Sequence, residues 1–311
     1  MPGLADATLL AAVALGSVRG ASALLRASWP RRSPATAILL WQALGLAGGL
    51  AAVGAFIAVG VAPRDSSVAG GAAAMAARLA NGQFLQPRQP IAVTLIQAAC
   101  LTAGLALLTL LCWVLILAFA GVLQARRRQR ELLALLAHGD PKVPGALVVD
   151  YPAAAAYCLP GLRSKIVVSV GTLDLLCPAE LAAVIAHERA HLRARHDLVL
   201  IPFTSLRRAF PRSRVVAQAQ RSVALLIEML ADDRARRARP ARELATALLR
   251  FGTSGASFAP AGALAVAEGE ITARVARLLT PPPPLSRRAH LAIWLAAGLL
   301  TVTPIILLTM P

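Results

Sequence analysis

Four stretches of this chain are apolar for long enough to cross the ~30 Å hydrocarbon core of a bilayer, a distance that takes roughly 20 residues of helix. They run from about residue 4 to 25, 35 to 62, 91 to 124 and 289 to 311. Backbone polar groups in hydrocarbon must bond to one another, so each stretch is expected to be a helix. The expected fold class is therefore an α-helical membrane protein with four transmembrane helices. The second and third stretches carry no charge, whereas the first contains Arg19, whose long side chain has to reach toward one membrane face. Composition agrees: 57% of residues are hydrophobic and 15% charged, where a soluble domain carries about a quarter charged. A cleaved signal peptide competes for the first stretch. No basic segment precedes it, however, and "SVRGASALLRAS" makes a poor cleavage region, so an uncleaved helix is expected.

Basic residues near the spans set the orientation. Arg26, Arg31 and Arg32 lie at the first connection, Arg126 to Arg130 hold four arginines just after the third span, and Arg287 and Arg288 precede the fourth. The 63–90 connection is rich in Gly, Ala and Ser, with its arginines spread out. The first connection and residues 125–288 are accordingly expected in the cytoplasm of a cell-membrane protein, with both termini outside. The expected organisation is a transmembrane region over 1–124, a cytoplasmic domain over 125–288 and a fourth span over 289–311.

That middle domain contains 25 Lys/Arg against 13 Asp/Glu. No pattern of interleaved aromatics or glycines accompanies this excess, so nucleic-acid binding is not expected. Anionic lipid or an acidic protein face is the simpler partner. The cysteines Cys100, Cys112, Cys158 and Cys177 lack paired spacing and read as reduced, packed residues.

Three short β-like runs open the domain, "GALVVDYP", "AAAYCLPG" and "SKIVVSVG", the last closed by Gly171. A helix follows from Pro178, with Glu180 near its positive end. Leu181, Val184, Ile185, Glu188 and Leu192 fall at helical spacing on it. Further helices are expected over 222–238 and in "EGEITARVARLL", and "TPPPPLS" reads as a stiff linker into the fourth span.

The first of these helices carries "HERAH". Four residues apart, His187 and His191 share one face about one turn apart, a spacing that suits two nitrogen ligands to Zn²⁺, with Glu188 beside the metal as general base. A catalytic zinc wants a third protein ligand and an open position. His196 lies about 140° further round the helix than His191 and joins that face only if the helix ends. Glu228 is the better candidate, because an unpartnered carboxylate on the apolar side of its helix is costly. One turn later, Asp232 is placed to accept the free ring N–H of a ligating histidine, and Asp233 reads as a solvated acid. Such a site would let Glu188 take a proton from attacking water and pass it to the leaving amine. An extended substrate would pair with an exposed strand edge, for which "AAAYCLPG" is the candidate.

"AELAAVIAHERAHLRARHD", followed 37 residues after His191 by "EMLADDRA", resembles the BlaR/MecR-like membrane zinc peptidases, relatives of the HtpX-like gluzincins. The resemblance implies an α+β gluzincin-like zinc peptidase domain between spans three and four, zinc on His187, His191 and Glu228, catalysis by Glu188 and support from Asp232. It further implies cleavage of a cytoplasmic winged-helix repressor of the BlaI/MecI type, or of the peptidase itself, in signal transduction, and leaves room for a homodimer. The best-known members carry an external penicillin-binding sensor domain after the fourth span. This sequence reads as a short form without it and without an external SxxK motif. Two other readings stand beside it: an HtpX-like quality-control protease, and a non-catalytic receptor or scaffold with structural zinc, which would have no need of Glu188.

Overall fold

The computed structural model describes residues 2–61, 90–139, 145–159, 164–253 and 264–309, with scattered positions between 70 and 81. The 63–90 connection thus lies largely outside the described residues. Four helices are long and apolar enough to cross a membrane: α1 (Pro2–Arg26), α2 (Pro34–Val61), α3 (Ile91–Leu136) and, closing the chain, α10 (Arg287–Thr309). Their bounds lie within a few residues of the expected spans except for α3, which continues past its apolar run through the arginines to Leu136. Helix α2 is the centre of the bundle, packing against α1, α3 and α10. Close approach of α2 to α3 depends on Gly60, where a Cβ would meet the Leu101 backbone at 2.8 Å.

Beyond α3 the chain forms β1 (Ala137–Gly139), β2 (Ala146–Val149), β3 (Ala156–Leu159) and β4 (Lys165–Ser169). The sheet order is β1-β2-β4-β3, with β2 and β4 parallel and the outer pairs antiparallel. The last three strands fall on the three runs expected, and β1 is an addition. Strand β4 is apolar without alternation because both its faces are covered. Ile166 and Val168 face Leu181, Ile185 and Leu192 of α5, while Val167 meets Leu133 at the end of α3. β3, which lies in "AAAYCLPG", is at an edge of the sheet, as expected.

The helical part comprises α4 (Val170–Leu175), α5 (Pro178–Ala194), α6 (His196–Ala209), α7 (Arg214–Ala235), α8 (Ala241–Thr253) and α9 (Leu264–Leu279). Helix α5 starts as its sequence dictates, with Pro178 in the first turn and the Cys177 N–H donating to Glu180 at 3.0 Å. Its inner face joins α8 and α9 in a core that includes Val184, Leu244, Leu248, Phe251 and Leu278.

Helices α4 and α8 are additions to the expected elements, and two further helical features depart from expectation. Helix α6 had no counterpart in the sequence reading, and α7 begins at Arg214 rather than at 222. Together they form a hairpin laid against the bundle. Phe203, Val223, Leu226 and Ile227 share a core with Leu24, Ile38 and Trp41, and the Trp41 and Phe203 rings meet edge to face at 6.5 Å. This contact fixes which end of the bundle the domain occupies. Arg32 reaches the carbonyls of Pro283 and Pro284, and Arg277 donates to the Arg31 carbonyl at 2.7 Å. The first connection, the proline linker and the folded domain therefore lie at one end of the helices.

Candidate metal centre

Two helices bring the titratable side chains together. From α5, His187 and His191 point to α7, which contributes Glu228 and, one turn on, Asp232. The Nε2 atoms of the histidines are 3.0 Å apart, and Glu228 oxygens lie 3.4 Å from His187 Nε2 and 3.5 Å from His191 Nε2. Four ligands at ~2.0–2.1 Å around tetrahedral zinc would be separated by about 3.3 Å. The three donors already stand close to that separation, and two nitrogens with one carboxylate are the atoms zinc takes. The residues therefore fit the ion.

Surrounding groups hold the ligands in the required state. Asp232 Oδ1 lies 2.9 Å from His187 Nδ1, which places the ring proton on that side and leaves the Nε2 lone pair facing the cluster. Asp232 is 1% exposed and would be costly there alone. Its counter-charge is Arg274, also buried, whose Nε and NH2 form a fork on the two Asp232 oxygens at 2.9 and 2.8 Å. The third nitrogen of Arg274 reaches Glu228 at 3.1 Å. Burial opposes ionisation of Asp232, but Arg274 outweighs it and holds the carboxyl at about 2. Burial likewise opposes charge on His187, and the hydrogen bonds to Asp232 and Glu228 outweigh it, raising the metal-free ring to about 9.

Glu188 is 6% exposed, and burial raises its carboxyl above the usual range, the direction a general base needs. Burial first, and then the nearby Glu188 carboxylate, push up the thiol of Cys158 on β3, so this cysteine belongs to the site rather than to general packing. All four cysteines are unpaired, as expected, but Cys112 and Cys177 are exposed, not packed. Helix α5 ends where Arg195 adopts φ 48°, ψ 47°. The turn brings His196 back against His191, with Nδ1 atoms 3.1 Å apart and rings edge to face. The end of the helix thus puts His196 against His191. Burial and the neighbouring His191 ring lower its pKa to about 3, so it stays neutral beside His191.

Asp233, read as solvated, is instead forked by Arg277 at 2.7 and 2.9 Å. Arg274 is not among the site residues expected from the sequence. Its signal was available: Ile271, Arg274, Val275 and Leu278 fall at i, i+3, i+4 and i+7, which puts a guanidinium in an apolar stripe.

Residues 122–232, from the end of α3 to the second acid of the cluster, match the family model of Peptidase family M48, a family of zinc metallopeptidases. No curated protein matches the chain. No solved structure matches it.

Proposed function

We propose that this chain is an integral-membrane, zinc-dependent endopeptidase with its peptidase domain on the cytoplasmic side and both termini outside. The observation that carries the reading is the 3.0–3.5 Å spacing of His187, His191 and Glu228 beside a buried Glu188. In this reading His187, His191 and Glu228 hold the metal. Zinc, when bound, supplies Lewis-acid chemistry that acidifies water and polarises a peptide carbonyl. Glu188 accepts the proton of the attacking water and delivers it to the leaving amine. Asp232, fixed by Arg274, keeps His187 in its donor tautomer, and His196 packs edge to face against the His191 ring. A substrate strand would add to the free edge of β3, beside Cys158.

Cleavage of a cytoplasmic winged-helix repressor of the BlaI/MecI type, or of the chain itself, is the role proposed. It is supported by the resemblance in motif and in the placing of the domain between spans three and four. An HtpX-like quality-control role and a non-catalytic receptor with structural zinc are the rivals. Glu188→Ala is expected to retain zinc and lose cleavage by roughly 10²–10⁴-fold. The measurement is digestion of a candidate repressor in proteoliposomes, with zinc content taken in parallel. Equal cleavage by the variant would sink the peptidase reading. Digestion of unfolded membrane proteins with the repressor left intact would instead select quality control.

A further inference from the structure

We propose that a groove on the side of α5 away from the metal ligands binds an acidic, amphipathic helical segment of a protein partner. The groove encloses about 900 Å³ between α5 and the turn after α7. Its floor is a strip of small and aliphatic side chains, with Ala182, Ala186 and Ala190 spaced four apart along α5. Its rims are cationic: Arg189 and Arg193 stand one helical turn apart on one side, and Arg234, Arg237 and Arg239 stand on the other. Among the described residues, no carboxylate lines the groove.

Charge complementarity identifies the occupant. Some arginines of this domain are answered by acids, Arg236 and Arg277 by Asp233, Arg250 by Glu180 and Arg274 by Asp232, and the groove arginines are not among them. Among the described residues none of the five groove arginines has a carboxylate within ion-pair distance, and all five are exposed. Like charges gathered around a concave, low-dielectric wall focus a positive field that favours an anionic ligand. The floor decides between anions. Headgroups of a bilayer form a broad surface that cannot enter a trough between two helices. A single helix can, because alanines four apart let backbones approach closely while acids flanking its apolar stripe meet both rims. The inference is independent of the chemistry at Glu188.

The test uses the full-length Glu188→Ala protein in phosphatidylcholine nanodiscs. The probe is a fluorescent helical peptide of about 18 residues, an alanine-leucine stripe flanked by glutamates, compared with a scrambled peptide of the same composition. Arg189→Gln, Arg193→Gln and Arg237→Gln together are expected to weaken its binding about tenfold or more, the worth of several rim ion pairs. The same charge removed at Arg208, Arg212 and Arg214 should leave binding unchanged. Arg189→Glu with Arg193→Glu should bind the lysine counterpart of the peptide, which wild type does not, and this gain keeps the proposal testable if the neutral variant folds poorly. Equal binding of the scrambled peptide, or equal loss in the control variant, overturns it. So does a groove variant that keeps the peptide but loses phosphatidylglycerol vesicles.

Discussion

Arg274 decides how much of the centre survives substitution, because it neutralises two acids at once. Removing it takes the guanidinium from Asp232, 1% exposed, and from Glu228, and leaves the His187 ring as the cation beside them. Arg274→Met is expected to destabilise the metal-free protein by roughly 3–5 kcal/mol, the usual cost of breaking a buried pair from one side. Adding Asp232→Asn should return part of that loss, and thermal melting of the single and double variants checks the coupling; additive penalties would contradict it. A second expectation concerns the proton on His187. Metal-free, the ring is raised to about 9, above its ordinary value of 6.5. Its contribution to metal-free stability is therefore full below pH 6.5 and fades as pH rises through 9. Zinc must displace that proton, so apparent affinity should climb about tenfold per pH unit up to pH 9, as read by chelator competition. A flat profile between pH 7 and 8.5 would show that His187 is already neutral. The histidine pair, Glu188 and the two acids of α7 were legible in the sequence because helical spacing alone puts them on shared faces. Arg274, Cys158 and His196 reach the centre from α9, β3 and a turn, and no local spacing encodes their approach.

At the scale of elements, two turns carry opposite expectations. Arg195 joins α5 to α6 with φ 48°, a left-handed conformation that disfavours a side chain. Arg195→Gly should stabilise the protein by about 0.5–1 kcal/mol if the relief exceeds the entropy glycine loses on folding, measured by denaturant titration. At Gly171, in the first turn of α4, a Cβ would collide with the Pro152 carbonyl. Gly171→Ala should therefore cost more than about 2 kcal/mol, since backbone cannot yield as a side chain does. A neutral result would mean that the 151–153 segment shifts at little cost. Strands β2 to β4 and helices α5 and α9 could be read from periodicity and turn residues. Helix α6 could not: "HDLVLIPFTSLRRAF" contains an internal Pro202, and its apolar positions face α2 and α3 rather than a core within its own domain.

For the whole molecule, the contacts of Arg32 with the proline linker and of Arg277 with Arg31 put the domain and the first connection at one end of the helices. With basic residues concentrated at that end, a reporter fused after Ala125 should behave as cytoplasmic, and an external signal there would invert the proposed orientation. The sequence by itself determined four long apolar helices and the identity of the residues that can hold a metal. Both follow from strictly local rules: hydrocarbon forces a helix on any apolar run of sufficient length, and four-residue spacing on a helix puts side chains on one face. Tertiary structure alone decided that α7 crosses α5 closely enough for Glu228 to stand 3.4 Å from His187. It also decided that α9 returns with the Arg274 guanidinium to the acids of α7, and that five arginines gather around one groove. Those arrangements depend on which apolar faces bury against which, a choice made by packing across the whole chain.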